Sequence, residues 1–517
     1  MIKKSIKTIL HFFSQSKLHN ITSNYYIKHG YKANERPQYF NDILVDDKGI
    51  VHQPDVYPYA AFLSRRLNAM HVIDIGCGRA NKLTSLHPEF KIIGIDHGSN
   101  IAFCKDKYPF GQWVEWNLEK GKIPLKKSLL NNSVIICADV IEHLTKPTNL
   151  LVNIRECLKY AAAAIITTPE RDLVRGVEDF GPPLNLSHIR EWNLHEMEEL
   201  LKSVGLRIQF KGLTNNNNYN LEKKTALFVL GNNNETILHV PPHDFRVVAF
   251  MTAYNEADII IPSISYLINQ GIEVYLIDNW STDNTYELAS QLLGKGLIGI
   301  EKYPANGPSP YYDWERLLGR VEVLASEFNA DWFIHHDVDE IRESPWPGVN
   351  LRDAIYNVDY LGFNAIDHTV IVFNPIDNNY LPGSNFNDYY SYFEFGTRPG
   401  HFVQIKAWKN LGQQITLKES GGHNVSFTGR RVYPFNFLLK HYPIRSQQHG
   451  EKKVFWERQQ RTNPEEKKKG WHIQYDSFTS GYEFIKNTNS LIRFDKSNYY
   501  ANYLLERLSG IGIARND

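Results

Sequence analysis

"HVIDIGCG", residues 71–78, is an apolar run that tips into Asp74 and closes on Gly76 and Gly78. A strand ending in an acid and a glycine turn opens a doubly wound α/β sheet, whose ligands sit beyond the carboxyl ends of the strands. Further short apolar runs follow at "KIIGID" (91–96), "QWVEWN" (112–117), "SVIICAD" (133–139) and "AAAIITTP" (162–169). Helix-like stretches such as "PTNLLVNIRECLKY" (147–160) lie between them. Such alternation predicts a parallel sheet covered on both faces. After the helix "NLHEMEELLKSVG" (193–205) come "LRIQFKGL" (206–213) and "KTALFVLG" (224–231), joined by the Asn-rich "TNNNNYN". Asn tolerates turn conformations, so these two runs predict an antiparallel hairpin at the edge of a mostly parallel, seven-stranded sheet.

The polar "GNNNETILHVPPHD" (231–244) with its Pro-Pro pair marks a linker. A second α/β series then runs through "FRVVAFMTAYNEADII" (245–260), "GIEVYLIDNWSTDNT" (271–285), "LIGIEKY" (297–303) and "ADWFIHHDVDE" (330–340). The expected organisation is a lead-in over 1–60, a first domain over 61–231, a linker over 232–244, a second domain over 245–455 and a helical extension over 456–517. No internal repeat relates the halves.

The 517 residues suffice for two or three cores, and 57 basic against 57 acidic residues give zero formal charge. No positive field would gather nucleic acid, and no nucleic-acid module is visible. Cys77, Cys104, Cys137 and Cys157 form no CxxC or scaffold-like pattern, which predicts a reduced, cytoplasmic protein. No apolar run approaches the roughly 20 residues of a membrane span. The basic, partly amphipathic "MIKKSIKTILHFFSQSKL" suits a solvated first helix, with peripheral contact with an anionic membrane as the alternative.

Two strand ends carry the chemistry. At the first, Gly76 and Gly78 let the backbone turn tightly and approach a ligand, and Asp96 ends the next strand. A nicotinamide fingerprint would need a glycine where Asn81 stands. Residues 71–230 resemble a class I S-adenosylmethionine-dependent methyltransferase, on "VIDIGCG", "IIGID", "CADVIEHLTKP" and "TTPERD" with "GPPLNLSHIREWNLHEMEELLKSVGL". The resemblance implies that the loop Asp74, Gly76, Cys77, Gly78 faces the methionine part of the donor. It also implies that Asp96 binds the ribose and that the segment at Asn117 flanks the adenine; the family usually has Asp there. Asp139 and Glu142 would order the loop after the fourth strand. A sulfonium methyl needs in-line positioning and, for a hydroxyl acceptor, a base, for which His143 and His188 are the candidates.

At the second, residues i and i+2 of an extended chain point the same way. Asp337 and Asp339 would then offer two oxygens to one hard divalent cation, a Lewis acid for a departing diphosphate. Asn255 and Glu256 end one neighbouring strand, and Asp278 ends the next, with Ser281, Thr282 and Asp283 following. On "AYNE", "DNWSTDNT", "HHDVDE" and "KHYPIRS", residues 245 to about 455 resemble a GT-A-fold glycosyltransferase of the family 2-like group, including its family 92-like branch. That likeness implies a nucleotide-sugar site at Tyr254, Asn255, Glu256, Asp278, Asn279, His336, Asp337 and Arg445. It implies Mn2+ or Mg2+ on Asp337 and Asp339, completed by His441, with Lys440 nearby. Glu394 and Glu419 are available acids for an inverting base, and neither is singled out.

The combined reading is a bifunctional glycan-modifying enzyme. It would methylate a sugar hydroxyl from S-adenosylmethionine and transfer a sugar from a nucleotide-sugar donor to a glycan or sugar acceptor. The alternatives are a glycosyltransferase with a methyltransferase-like scaffold, or a nucleotidyltransferase-type diphosphate enzyme.

Overall fold

The computed structural model describes residues 25–38, 49–219, 222–231, 238–346, 348–396, 401 and 404–495. The chain divides into two compact units, Met1–Thr236 and Ile237–Tyr499. The amphipathic N-terminal stretch and the last part of the C-terminal extension, residues 496–517, lie outside the described residues.

The first unit is built on β1 (His71–Ile75), β2 (Lys91–Asp96), β3 (Gln112–Glu115), β4 (Ser133–Ala138), β5 (Ala163–Pro169), β6 (Arg207–Asn215) and β7 (Lys223–Gly231). They form one sheet in the order β3-β2-β1-β4-β5-β7-β6. The pairings from β3 to β5 are parallel, and β7 runs antiparallel to both β5 and β6. The hairpin is as expected, with β7 folded inward between β5 and β6. Val72, Ile73 and Ile75 of β1 and Val134, Ile135 and Ile136 of β4 are fully buried. Being covered on both faces, the central strands are continuously apolar rather than alternating. The helix Leu194–Ser203 starts on a capping box in which Asn193 accepts from the Glu196 amide and Glu196 accepts in return.

The second unit has β8 (Val247–Ala253), β9 (Glu273–Asp278), β10 (Leu297–Lys302), β11 (Trp332–Asp337), β12 (Glu340–Glu343), β13 (Ala365–Ile366), β14 (His368–Phe373), β15 (Tyr392–Phe395), β16 (Ala407–Lys409), β17 (Phe437–His441) and β18 (Ile492–Arg493). One sheet runs β10-β9-β8-β11-β16-β13, and a second runs β12-β17-β14-β15-β18. β8 through β11 pair in parallel, so their carboxyl ends share one edge. Every residue of β8 is buried.

β11 stops at Asp337, Val338 and Asp339 form a turn, and Glu340 begins β12 in the other sheet. The premise of an extended chain through Asp339 therefore fails. The strand needed to align the two aspartates ends at the first of them. The segment 447–461 also belongs to this unit and winds tightly: a short helix Gln447–Glu451, π-helical turns over Lys452–Arg458 and a final tighter turn. Among the described residues, no helix is long and apolar enough to cross a membrane.

Candidate functional site

In the first unit, β1 ends at a turn in which Gly76 has φ +80° and Gly78 φ +53°, conformations costly for other residues. A Cβ on Gly76 would overlap the Val140 side chain, so the turn is packed against the segment after β4. Asp74 lies beneath it, buried, accepting from the Tyr57 hydroxyl at 2.7 Å. Asp96, at the carboxyl end of β2, accepts from the Gly78 amide at 2.8 Å and the His97 amide at 2.7 Å. Each carboxylate oxygen carries a second lone pair beyond these bonds. The loop after β1 is thus locked to the acid after β2.

The hydrogen bond to Cys104 and burial push the Cys77 thiol well above its ordinary pKa, so Cys77 packs rather than reacts. Asn117 uses its Oδ1 to accept from the Glu119 amide, which leaves its amide nitrogen as a donor. This donor set fits S-adenosylmethionine: a carboxylate for ribose hydroxyls, a side-chain-free turn and an amide donor for ring nitrogens.

Past β4, Asp139 has φ +53° and burial pushes its carboxyl up. The turn Ile141–His143 follows. Glu142 is fully buried; its Oε2 accepts from Thr168 Oγ1 at 3.0 Å, while Oε1 has no hydrogen-bond partner among the described residues. Burial and the neighbouring Asp139 push the Glu142 carboxyl well up. The Glu142 carbonyl accepts from the Ile189 amide at 2.8 Å, drawing in the loop that carries His188. His143 and His188 meet edge to face with ring centroids 4.7 Å apart. Both histidines chosen from sequence therefore share one site, together with a glutamate expected only to order a loop. Burial and the adjacent His188 pull the His143 pKa down to about 4, so it is neutral at neutral pH.

In the second unit the polar ends of β8, β9 and β11 do share an edge, with a different division of labour. Asp278 is fully buried and holds the Ser281 amide at 3.0 Å and the Ser281 hydroxyl at 2.5 Å. Asn255, with φ +57°, accepts from the Thr282 amide at 2.8 Å and donates to Glu457 at 2.7 Å. Asn279 donates to the Tyr303 carbonyl at 3.0 Å. These residues tie the loops together. Tyr254 is half-buried, with the Arg461 guanidinium 4.1 Å from its ring centroid, and Arg458 lies 3.8 Å over Tyr312. The Nη1 atoms of Arg458 and Arg461 are buried and have no hydrogen-bond partner among the described residues.

Three expectations need correction here. Arg445, expected at the nucleotide-sugar site, is committed to protein partners. It is 1% exposed, and its donors go to Glu256, to Asp258 at 2.6 Å and 2.9 Å, to the Tyr442 carbonyl at 3.2 Å and to His449 at 2.7 Å. His336 is fully buried beneath the edge, its Nδ1 against Arg342, so it faces no nucleotide.

Asp337 and Asp339 do not fit a shared ion, because each is held by a different buried lysine. Lys406 lies 2.8 Å from Asp337 and 3.0 Å from Glu340, and Lys453 lies 2.9 Å from Asp339 and 3.2 Å from Glu256. Thr252 also donates to Asp337, at 3.2 Å, and His441 stands 3.5 Å from Asp339. Against the desolvation of burial, Lys406 holds Asp337 below the usual carboxylate range, and Lys453 with His441 holds Asp339 well below it. A cation joining both aspartates would have to displace two ammonium groups. No group of three potential ligands close enough to share an ion forms around Asp337, Asp339 and His441 among the described residues.

Lys406, Lys453, Arg458 and Arg461 escaped the sequence reading. Lys453 meets Glu256 across 197 residues, and a lysine in "EKKVF" reads as a solvated charge. The only local sign was the unusual density of basic and aromatic residues in "KKVFWERQQR" (452–461).

Residues 55–209 match a family model described as a methyltransferase domain, and residues 248–304 match glycosyl transferase family 2. A curated protein of Mycolicibacterium smegmatis, "Probable S-adenosylmethionine-dependent methyltransferase", is 26% identical over 149 residues, 28% of this chain. That match takes in 56% of the relative, so the chain spans a little over half of its length. Similar solved structures include an S-adenosylmethionine-dependent methyltransferase from Clostridium acetobutylicum, 13% identical with a TM-score of 0.28, over 35% of this chain and 92% of that one. Another, from Aquifex aeolicus, is 15% identical with a TM-score of 0.25, over 34% and 92%. Residues 55–209 are thus similar to methyltransferase domains, and residues 248–304 are similar to family 2 glycosyl transferases.

Proposed function

We propose that the chain is a bifunctional glycan-modifying enzyme that methylates a sugar hydroxyl and adds a sugar from a nucleotide-sugar donor. The observation that supports it most directly is the presence, in each domain, of a polar edge at the carboxyl ends of parallel strands, where α/β folds take their ligands. In the first domain S-adenosylmethionine supplies an electrophilic methyl group. Asp96 and the turn at Gly76–Gly78 would hold and orient the donor, and the His143–His188 pair would line the acceptor side. Burial keeps His143 neutral at neutral pH, so one of its ring nitrogens carries a lone pair.

In the second domain the nucleotide would lie along Tyr254 and the Asp278 loop. Arg458 and Arg461, each with an unpartnered buried nitrogen, supply the positive charge that a diphosphate leaving group needs.

Incubation with isotopically labelled S-adenosylmethionine and a panel of nucleotide sugars should put both labels into a glycan or sugar acceptor. Asp96→Ala should weaken S-adenosylmethionine binding in calorimetry by about tenfold or more, since each lost charge-assisted hydrogen bond is worth about 1.5–3 kcal/mol. No binding by the unaltered chain would make the first domain a scaffold. Arg461→Ala should raise KM for the nucleotide sugar while methyl transfer stays unchanged. An unaltered KM would remove Arg461 from the donor site.

A further inference from the structure

We propose that Glu142, His143 and His188 form a binding site for one divalent first-row transition-metal ion in the methyltransferase domain. The three offer one ligand atom each, all within 4.8 Å of one another. Two imidazoles and one carboxylate form a recurrent donor set for Zn2+, Fe2+ and similar ions, whose bonds run about 2.0–2.2 Å.

What lifts the cluster above a chance meeting is the arrangement behind it. His143 Nδ1 lies 2.9 Å from the Ser187 carbonyl, and His188 Nδ1 lies 2.6 Å from Glu191 Oε1. Each of those acceptors can take only an N–H, so both rings are set in the tautomer whose lone pair is on Nε2. Metal-binding histidines are oriented by this kind of bond from the opposite ring nitrogen. Glu142 repeats the pattern: Thr168 holds Oε2, and Oε1 is left buried with no hydrogen-bond partner among the described residues. The neighbouring Asp139 also has a buried oxygen, Oδ1, without a partner.

An unpartnered carboxylate oxygen in the interior is costly unless a cation or proton meets it. Neither Glu142 nor Asp139 has a salt bridge within 4 Å among the described residues. Lys82, the cation that most lowers the Asp139 pKa, spends its ammonium on the His52 carbonyl at 3.1 Å. The second domain shows the contrast, since lysines fill the places between its acids. His188 Nε2 currently meets the Asn185 amide at 3.0 Å, a partner on a loop that an ion would displace.

The site follows β4, the strand beside β1 and its glycine turn. Its role there, polarising a hydroxyl of the methyl acceptor, rests on the methyl-transfer reading; the binding of the ion does not. The test uses the full-length chain, stripped by chelation and titrated with Co2+ by visible absorption and calorimetry. One equivalent should bind. Glu142→Gln and the paired His143→Ala/His188→Ala variant should each weaken it at least about tenfold. X-ray absorption at the cobalt edge of the unaltered chain should count two imidazole ligands, a readout that needs no variant to fold. Absence of saturable binding, binding unchanged in the paired variant, or fewer than two imidazoles overturns the proposal. S-adenosylmethionine calorimetry on the same samples separates that failure from a failure of the methyl-transfer reading.

Discussion

Lys406→Met will destabilise the second domain by about 3–5 kcal/mol, the cost of breaking a buried ion pair by removing one partner. Lys406 is 1% exposed and serves both Asp337 and Glu340. Methionine keeps the length and apolar stem but leaves two carboxylates facing each other. Arg342 still contacts Glu340, at 2.6 Å, so the heavier loss falls on Asp337 at the end of β11. Urea unfolding followed by tryptophan fluorescence reads this domain through Trp332 on β11 and Trp408 on β16. A midpoint within error of the unaltered chain would show that the lysine does not hold the edge. Arginine at 406 should not rescue, because a planar fork needs room that the fully packed site lacks.

The second large effect is acid lability of the same domain. Burial, together with nearby Arg342 and Lys406, pulls His335 from 6.5 to about 4 and His368 and His423 to about 3. Unfolded histidines take up protons near 6.5, whereas these three do so only near 3–4. Between those values the unfolded chain binds more protons, so stability falls as the pH falls. The three together amount to a loss on the order of several kcal/mol between pH 6.5 and about 3. Asp337, Asp339 and Glu340 add to it. Their pKa values lie below the ordinary carboxylate range, so their contribution is full above that range and fades as the pH drops through it. Unfolding midpoints measured from pH 7 to 4 should decline steadily from about pH 6.5. A flat profile down to pH 5 would show that these histidines are protonated in the fold.

Much of the architecture was legible because its signals are local. Seven apolar runs, a glycine turn and an Asn-rich hairpin loop give all seven strands of the first sheet, and only the inward position of β7 needed the structure. The residues expected to face the methyl donor, Asp74, Gly76, Gly78 and Asp96, lie within a few residues of strand ends, and Asp96 meets the Gly78 amide. Asp337 and Asp339 misled because spacing of two was read as alternation, while the strand had already ended at the first. Their true partners, Lys406 and Lys453, are 69 and 114 residues away. Nothing in a strand's own pattern announces a cation arriving from so far along the chain. Glu142 was undervalued for the same reason: its buried, unpaired oxygen depends on a loop that brings in His188 from 46 positions later.

β6 touches the rest of its sheet through β7 alone, and β7 is the last strand of the first domain to be made. A ribosome must therefore release the chain through Gly231 before this sheet can close. The family match ends at residue 209, inside β6. A gene fragment cut there would leave the flank of β5 bare, a sticky template for neighbouring molecules. Anyone expressing the first domain by itself should carry the reading frame past Gly231.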